Sequence, residues 1–232
     1  MRVCLWKDFG ALNSKPVFAA FEKSIKNAGD TVVYNNIDSD INIIWSVLWN
    51  GRMAGNKKIW DYCRSAKKPV IVLEVGGLVR NKTWRIGLNG VNRDATWIKP
   101  YDNHRAAFLG LQLKEWNTTA EGILLCGQHS KSEQWRGMPP MQTWMENTIK
   151  QLREHTNRPI YLRPHPRCYV PDISKKYNNV YYQKPNKIKK TYDDYDFSLK
   201  NIGAVFSHNS NPGIHAAICG VPVWTDSSSL AY

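Results

Sequence analysis

No run of apolar residues in this chain approaches the length needed to cross a bilayer, and its opening, MRVCLWKDFG, has neither an apolar signal core nor a small-residue cleavage site. A membrane-spanning or exported protein is therefore not expected, and a cytoplasmic location follows by default. Cysteine is sparse: there are five, an odd number, with no C-x-x-C pair. That spacing lacks the paired ligands of a structural zinc site, and no metal site is expected. Cys4, Cys126 and Cys219 lie in apolar stretches and read as reduced core thiols. Acidic residues are also scarce, with 19 Asp and Glu against 32 Lys and Arg, a net charge of +13. The excess is dispersed, running through Arg80, Lys82, Arg85, Arg93, Lys99, Arg105 and Lys114. Such a surface attracts polyanions (DNA, RNA or acidic lipid), unless it serves solubility alone.

Apolar residues make up 42% of the 232, which excludes a disordered chain and leaves room for one large α/β domain or two small ones. The first half alternates strand and helix. Val3 to Trp6 reads as a strand, and Val17, Phe18, Phe21, Ile25 and Ala28 share one helical face behind Pro16. Strands follow at Thr31 to Tyr34, Ile41 to Val47 and Pro69 to Val75, with a helix over Lys57 to Ala66. The continuous apolar runs predict a parallel, doubly wound sheet. From Gly76 to Pro100 the pattern becomes irregular and rich in Gly, Trp and basic residues, as functional loops are. Helical spacing returns over Arg105 to Leu113, and the polar stretch Glu115 to Glu121 reads as a linker.

The second half repeats the alternation: strands at Gly122 to Cys126, Pro159 to Arg163, Val180 to Tyr182, Ala204 to Ser207 and Val221 to Trp224, with a helix marked by Met141, Met145, Ile149 and Leu152. The expected organisation is two Rossmann-like α/β domains, residues 1–115 and 122–232, with a cleft between them. Ligands of open parallel sheets sit at the carboxyl ends of the strands, and three segments fall there. CGQHSKSEQW places Gly127, Gln128 and Ser130 in a polar loop whose N–H groups suit a phosphate or a base edge. YLRPHPR fixes His165 between Pro164 and Pro166 and flanks it with Arg163 and Arg167, donors for developing negative charge. FSHNSNPGIHAAICGVPVW delivers His208, Asn209 and Ser210 to a helix expected to have Asn211 as its N-cap and Pro212 at its first position, with Gly213 allowing close approach. An ordinary capped turn is the plain alternative for the last segment.

Together these segments resemble the donor domain of GT-B glycosyltransferases, most of all the capsule-polysaccharide transferase type. The features are a strand ending in a Gly-containing polar loop, then R-P-H-P, then N-S-x-x-G-I-x-A-x-x-x-G-V-P-V, across Gly122 to Trp224. The resemblance implies a nucleotide-diphosphate sugar as co-substrate, no tightly bound cofactor, and the diphosphate against Ser210 and the helix at Asn211. The family carries a Glu on the nucleotide ribose where this chain has His215. Its first domain binds the acceptor. An inverting transfer there needs a carboxylate base, for which Glu74, then Asp94, then Asp8 are the candidates, with His165 on the leaving group.

The segment from Leu73 to Trp97 is similar to that of small phage-encoded transferases. That likeness implies hydroxymethylated pyrimidines of DNA as acceptor, in a host cell's cytoplasm, with Arg80, Lys82, Arg85 and Arg93 on phosphates and Trp84 or Trp97 stacking on an extruded base. The competing expectations are a transferase of surface-polysaccharide or glycolipid synthesis, and a nucleic-acid-binding protein of the same fold without activity.

Overall fold

The computed structural model describes residues 1–79, 82–96, 104–117, 119–191 and 194–232, the side chain of Arg105 excepted. Contacts group the chain into two units, one of residues 1–100 with 131–134, the other of residues 101–130 with 135–232. The segment expected as a linker belongs to the second unit. Lys114 N–H donates to Ile218 O at 3.0 Å and Asn117 N–H to Gly220 O at 2.6 Å. Gly220 is required there, because a Cβ would meet Glu115 O at 2.0 Å and its φ is +74°.

In the first unit β1 (Arg2–Leu5), α1 (Lys15–Asn27), β2 (Thr31–Val33), β3 (Ile41–Trp45), α2 (Asn56–Ser65), β4 (Val70–Val75) and β5 (Trp84–Leu88) build a sheet of order β2-β1-β3-β4-β5. β1, β2, β3 and β4 run parallel, and β5 is antiparallel to β4. The strand period sends alternate side chains to opposite faces. Val3, Leu5, Ile43, Trp45 and Leu73 pack with Val17 and Phe18 of α1, and Cys4, Ile44, Val70 and Val72 with Ile59, Trp60 and Cys63 of α2. α1 begins with Pro16 in its first turn, where a missing N–H costs nothing, and ends before Gly29 at φ +80°. The antiparallel β5 departs from the expected irregular segment. Gly76 N–H donates to Thr83 O, closing the hairpin, and Gly87 lets the Gly90 turn pass, since a Cβ there would lie 2.2 Å from Gly90 O.

In the second unit α3 (His104–Phe108), β6 (Gly122–Cys126), α4 (Met141–Arg153), β7 (Ile160–Arg163), β8 (Val180–Tyr182), β9 (Ile202–Ser207), α5 (Asn211–Ile218) and β10 (Val223–Trp224) follow in order. α3 is shorter than the expected helix to Leu113, because Gly110 turns the chain at φ +61°. The sheet order is β10-β9-β6-β7-β8, with all strands parallel. Ile123, Leu125, Ile160, Leu162 and Ala204 meet Met141, Met145 and Ile149 of α4, while Leu124, Ile202 and Val205 meet Ala216 of α5. Each unit is thus a Rossmann-like sheet with helices on both faces. Of the three cysteines expected in the core, Cys4 and Cys126 are buried and Cys219 is half-buried, and burial pushes the Cys126 thiol up to about 12. Among the described residues no helix is long and apolar enough to cross a membrane.

Candidate active site

The chain runs from β6 outward to β7 and β8 on one side, then returns to β9 and β10 on the other. The switch in direction opens a crevice at the carboxyl ends of β6 and β9, the usual ligand position of such sheets. Gln128 and Asn209 each lie two residues beyond those strand ends. Gln128 is buried, and its Oε1 accepts the Asn209 N–H at 3.1 Å. The buried Asn209 amide is in turn fixed by donating to Ser228 Oγ at 2.9 Å. Gly127 N–H donates to Arg163 O, which continues the sheet pairing into the loop. Ser130 Oγ accepts from the Cys168 thiol at 3.4 Å.

The start of α5 follows directly on β9. Ser210, not Asn211, has the extended conformation of the N-cap (φ −97°, ψ 152°), so Asn211 and Pro212 form the first turn. A one-residue offset of this kind is usual at helix ends. Ser210 makes no side-chain cap bond, and its Oγ is buried without a hydrogen-bond partner. Ser207 Oγ, at the end of β9, is in the same condition in a residue 3% exposed. The hydroxyl of Ser207 lies against the first turn of α5, since a Cβ on Gly213 would sit 2.8 Å from it. Two buried hydroxyls therefore stand at a helix start whose N–H groups carry partial positive charge. Unmade hydrogen bonds of this kind cost about 1–3 kcal/mol each.

β7 brings His165 to the neighbouring strand end. His165 Nδ1 accepts the Arg167 N–H at 3.1 Å, so the neutral ring carries its proton on Nε2. The ring meets the edge of His129 at 5.2 Å between centroids. His129 is buried, and sequence reasoning passed over it although it adjoins Gln128. His208 stands edge-on to Trp135, with its carbonyl accepting from Thr225 Oγ1 and Asp226 N–H. A groove of about 650 Å³ runs from Ser207 and His208 along the sheet face beside α4, walled by Trp144, Phe206 and Trp224.

Two residues expected on the donor have other company. The buried Arg163 guanidinium donates through Nη2 to both the carbonyl and the carboxylate of Asp196 and lies over the Phe197 ring. His215, five residues beyond Ser210, stands edge-on to Phe197 and 3.6 Å from Cys219 Sγ. Burial, and then the charge of Lys114, hold its imidazole below the usual value, so it is neutral near pH 7.

The acidic candidates belong to the first unit. Glu74 lies near the carboxyl end of β4, its Oε2 accepting from Ser46 Oγ at 2.5 Å and its Oε1 from Val75 N–H at 2.8 Å. Asp94 caps a turn, its Oδ1 accepting the N–H groups of Val91 and Asn92. Asp8 follows β1 at the surface, 3.4 Å from Asn35 Nδ2. Ser46 was not legible as a site residue, because it reads as a polar interruption in an apolar strand. Of the residues expected on DNA, Arg80 and Trp97 lie outside the described set. Lys82 and Arg93 are exposed. Trp84 turns inward, edge-on to Trp45 at 5.6 Å, rather than outward for stacking. Arg85 donates to Val75 O and to Asn92 Oδ1, and burial holds its guanidinium below its ordinary value. Among the described residues no group of His, Cys, Asp and Glu is placed to hold a metal ion.

The chain shares its fold with solved Kdo transferases. It matches Thermosulfurimonas dismutans KpsC, beta Kdo 2,4 transferase, with a TM-score of 0.54 and 16% identity over 97% of this chain and 79% of that one. It matches the beta Kdo 2,7 transferase of the same KpsC with a TM-score of 0.52 and 19% identity over 97% and 78%. At these identities the likeness is one of fold, and it agrees with the two Rossmann-like sheets expected from sequence. No family model and no curated protein matches the chain.

Proposed function

We propose that this chain is a glycosyltransferase of surface-polysaccharide type, which binds a nucleotide-activated sugar in the second unit and receives a glycan acceptor in the first. The observation that carries the reading is the pair of buried, unpartnered hydroxyls of Ser207 and Ser210 at the start of α5, in the crevice where the strand order reverses. A donor phosphate supplies the oxygens those hydroxyls and the helix N–H groups would bond. Nε2–H of His165 meets the charge that grows on the phosphate as the sugar departs. The R-P-H-P and N-S-x-x-G-I segments of the resemblance lie at the carboxyl ends of β7 and β9.

A glycan acceptor is favoured over DNA. Trp84 and Arg85, two of the residues expected on DNA, have partners within their own unit. The solved structures of like fold bear the names of Kdo transferases. The test is titration calorimetry with a panel of nucleotide sugars, followed by nucleotide-release assays with acidic glycans and hydroxymethylated DNA. Binding of a nucleotide sugar and release with a glycan support the reading. No binding across the panel, or release with DNA alone, contradicts it.

A further inference from the structure

The hydroxyls of Ser207 and Ser210 are both buried. No ligand oxygen reaches a buried hydroxyl unless something that covers it moves. The segment that follows β10 packs at this place. Thr225 Oγ1 donates to His208 O at 2.7 Å and Asp226 N–H donates to the same carbonyl at 3.0 Å, which roots the segment on the end of β9. Asn209 Nδ2 donates to Ser228 Oγ at 2.9 Å. Ala231 lies against the first turn of α5, because a Cβ on Gly213 would stand 3.6 Å from the Ala231 Cβ and 2.8 Å from Ser207 Oγ. The segment therefore touches the chain before Ser210, at His208 and Asn209, and after it, at Gly213.

The root and the remainder are held unequally. Among the described residues, 227–231 make one hydrogen bond outside their own segment, the one from Asn209. Their other bonds are internal: Ser228 N–H to Asp226 Oδ1 at 2.8 Å, Ser229 N–H to Asp226 O at 2.9 Å and Ala231 N–H to Ser229 Oγ at 3.1 Å. Only Ser229 of the five is buried, and Leu230, the one large apolar side chain, is exposed. A segment that bonds mainly to itself can open as one piece, at a cost well below that of global unfolding.

We propose that residues 227–231 are a lid over the first turn of α5, which opens on its root at Thr225 and Asp226 to admit the donor phosphate to Ser207 and Ser210. This rests on placing the donor at that turn. The bond from Asn209 to Ser228 is the latch. While the lid is closed the site is out of reach, so the apparent affinity is the intrinsic one reduced by the open fraction. Loosening the latch raises that fraction. It should therefore tighten binding, whereas the loss of a merely structural contact would weaken binding or leave it unchanged.

Ser228→Ala removes the latch and leaves Ser207 and Ser210 in place. Its Kd for inorganic diphosphate, measured by titration calorimetry at physiological salt, should fall about 2- to 10-fold below the parent's, the effect of one ordinary hydrogen bond lost from the closed state. Equal or weaker binding overturns the lid. Hydrogen exchange of the ligand-free protein supplies a second reading that needs no ligand. The Ser229 and Ala231 amides should exchange together, faster than those of Leu124 and Leu125 in β6, and Ser228→Ala should speed them about 2- to 10-fold while the β6 amides keep their rates. Lid amides that exchange only as slowly as β6 would show that the segment opens only on global unfolding, which also overturns the proposal. Failure of the donor reading shows separately, as parent protein that binds neither diphosphate nor any nucleotide sugar, and the exchange rates still decide whether the lid opens.

Discussion

Replacing Ser210 by alanine should strengthen the fold and weaken donor binding together. In the free protein Ser210 Oγ is buried and makes no hydrogen bond. A buried hydroxyl in that state costs about 1–3 kcal/mol of desolvation, and alanine removes the hydroxyl. Serine at an N-cap ordinarily outranks alanine by about 1 kcal/mol, but that preference comes from a bond between its oxygen and a helix N–H. Ser210 does not make that bond. The desolvation contribution therefore prevails, and Ser210→Ala should gain about 1 kcal/mol, raising the melting temperature by about 2–4 °C. With a donor phosphate in place the balance reverses. Loss of one hydrogen bond to a charged group removes about 1.5–3 kcal/mol of binding, or about 10- to 150-fold in Kd. Scanning calorimetry of the ligand-free protein and titration calorimetry with a nucleotide sugar measure the two halves. A variant that melts earlier and binds as tightly as the parent would show Ser210 to be an ordinary cap and refute the reasoning.

Gly213→Ala tests the same crevice from the helix side. It should gain helix propensity worth about 1 kcal/mol, yet its Cβ would stand 2.8 Å from Ser207 Oγ and turn that hydroxyl away, so donor affinity should fall while stability barely moves in urea titration. His165→Ala should lower kcat more than it raises the donor KM, because the charge met by Nε2–H grows in the transition state, and steady-state kinetics with equal losses in both would contradict that role. Arg85→Ala should destabilise by about 2–3 kcal/mol through its lost charged hydrogen bonds, and leave the salt dependence of any duplex binding unchanged; a flatter salt slope with intact stability would restore DNA as the partner.

Most of this architecture is legible in the sequence because it rests on short-range pattern. Apolar runs such as GILLC and PVIVLEV give the buried strands, and the proline at the start of the last helix gives its position within one residue. β5 is not legible, because its five residues include Arg85 and Gly87. Its pairing also depends on a hairpin closed by Gly76 and Thr83, a contact no local period records. The crevice is legible as a collection of polar residues at strand ends, but its division of labour is not. Asn209 is held by Ser228 and Gln128 by Asn209, which leaves Ser207 and Ser210 unpartnered. Arg163 reads as an anion contact in R-P-H-P until Asp196, 33 residues later, takes its guanidinium.

The central claim, a donor phosphate at the start of α5, is tested most directly by following backbone amides of isotope-labelled protein during titration with a nucleotide sugar. The account predicts that the amide resonances of Ser207 to Asn211, of Gly213 and Ile214, and of Gly127 to Ser130 move together with a single saturation curve. Shifts confined to the first unit, or none at these residues at saturating ligand, would contradict it.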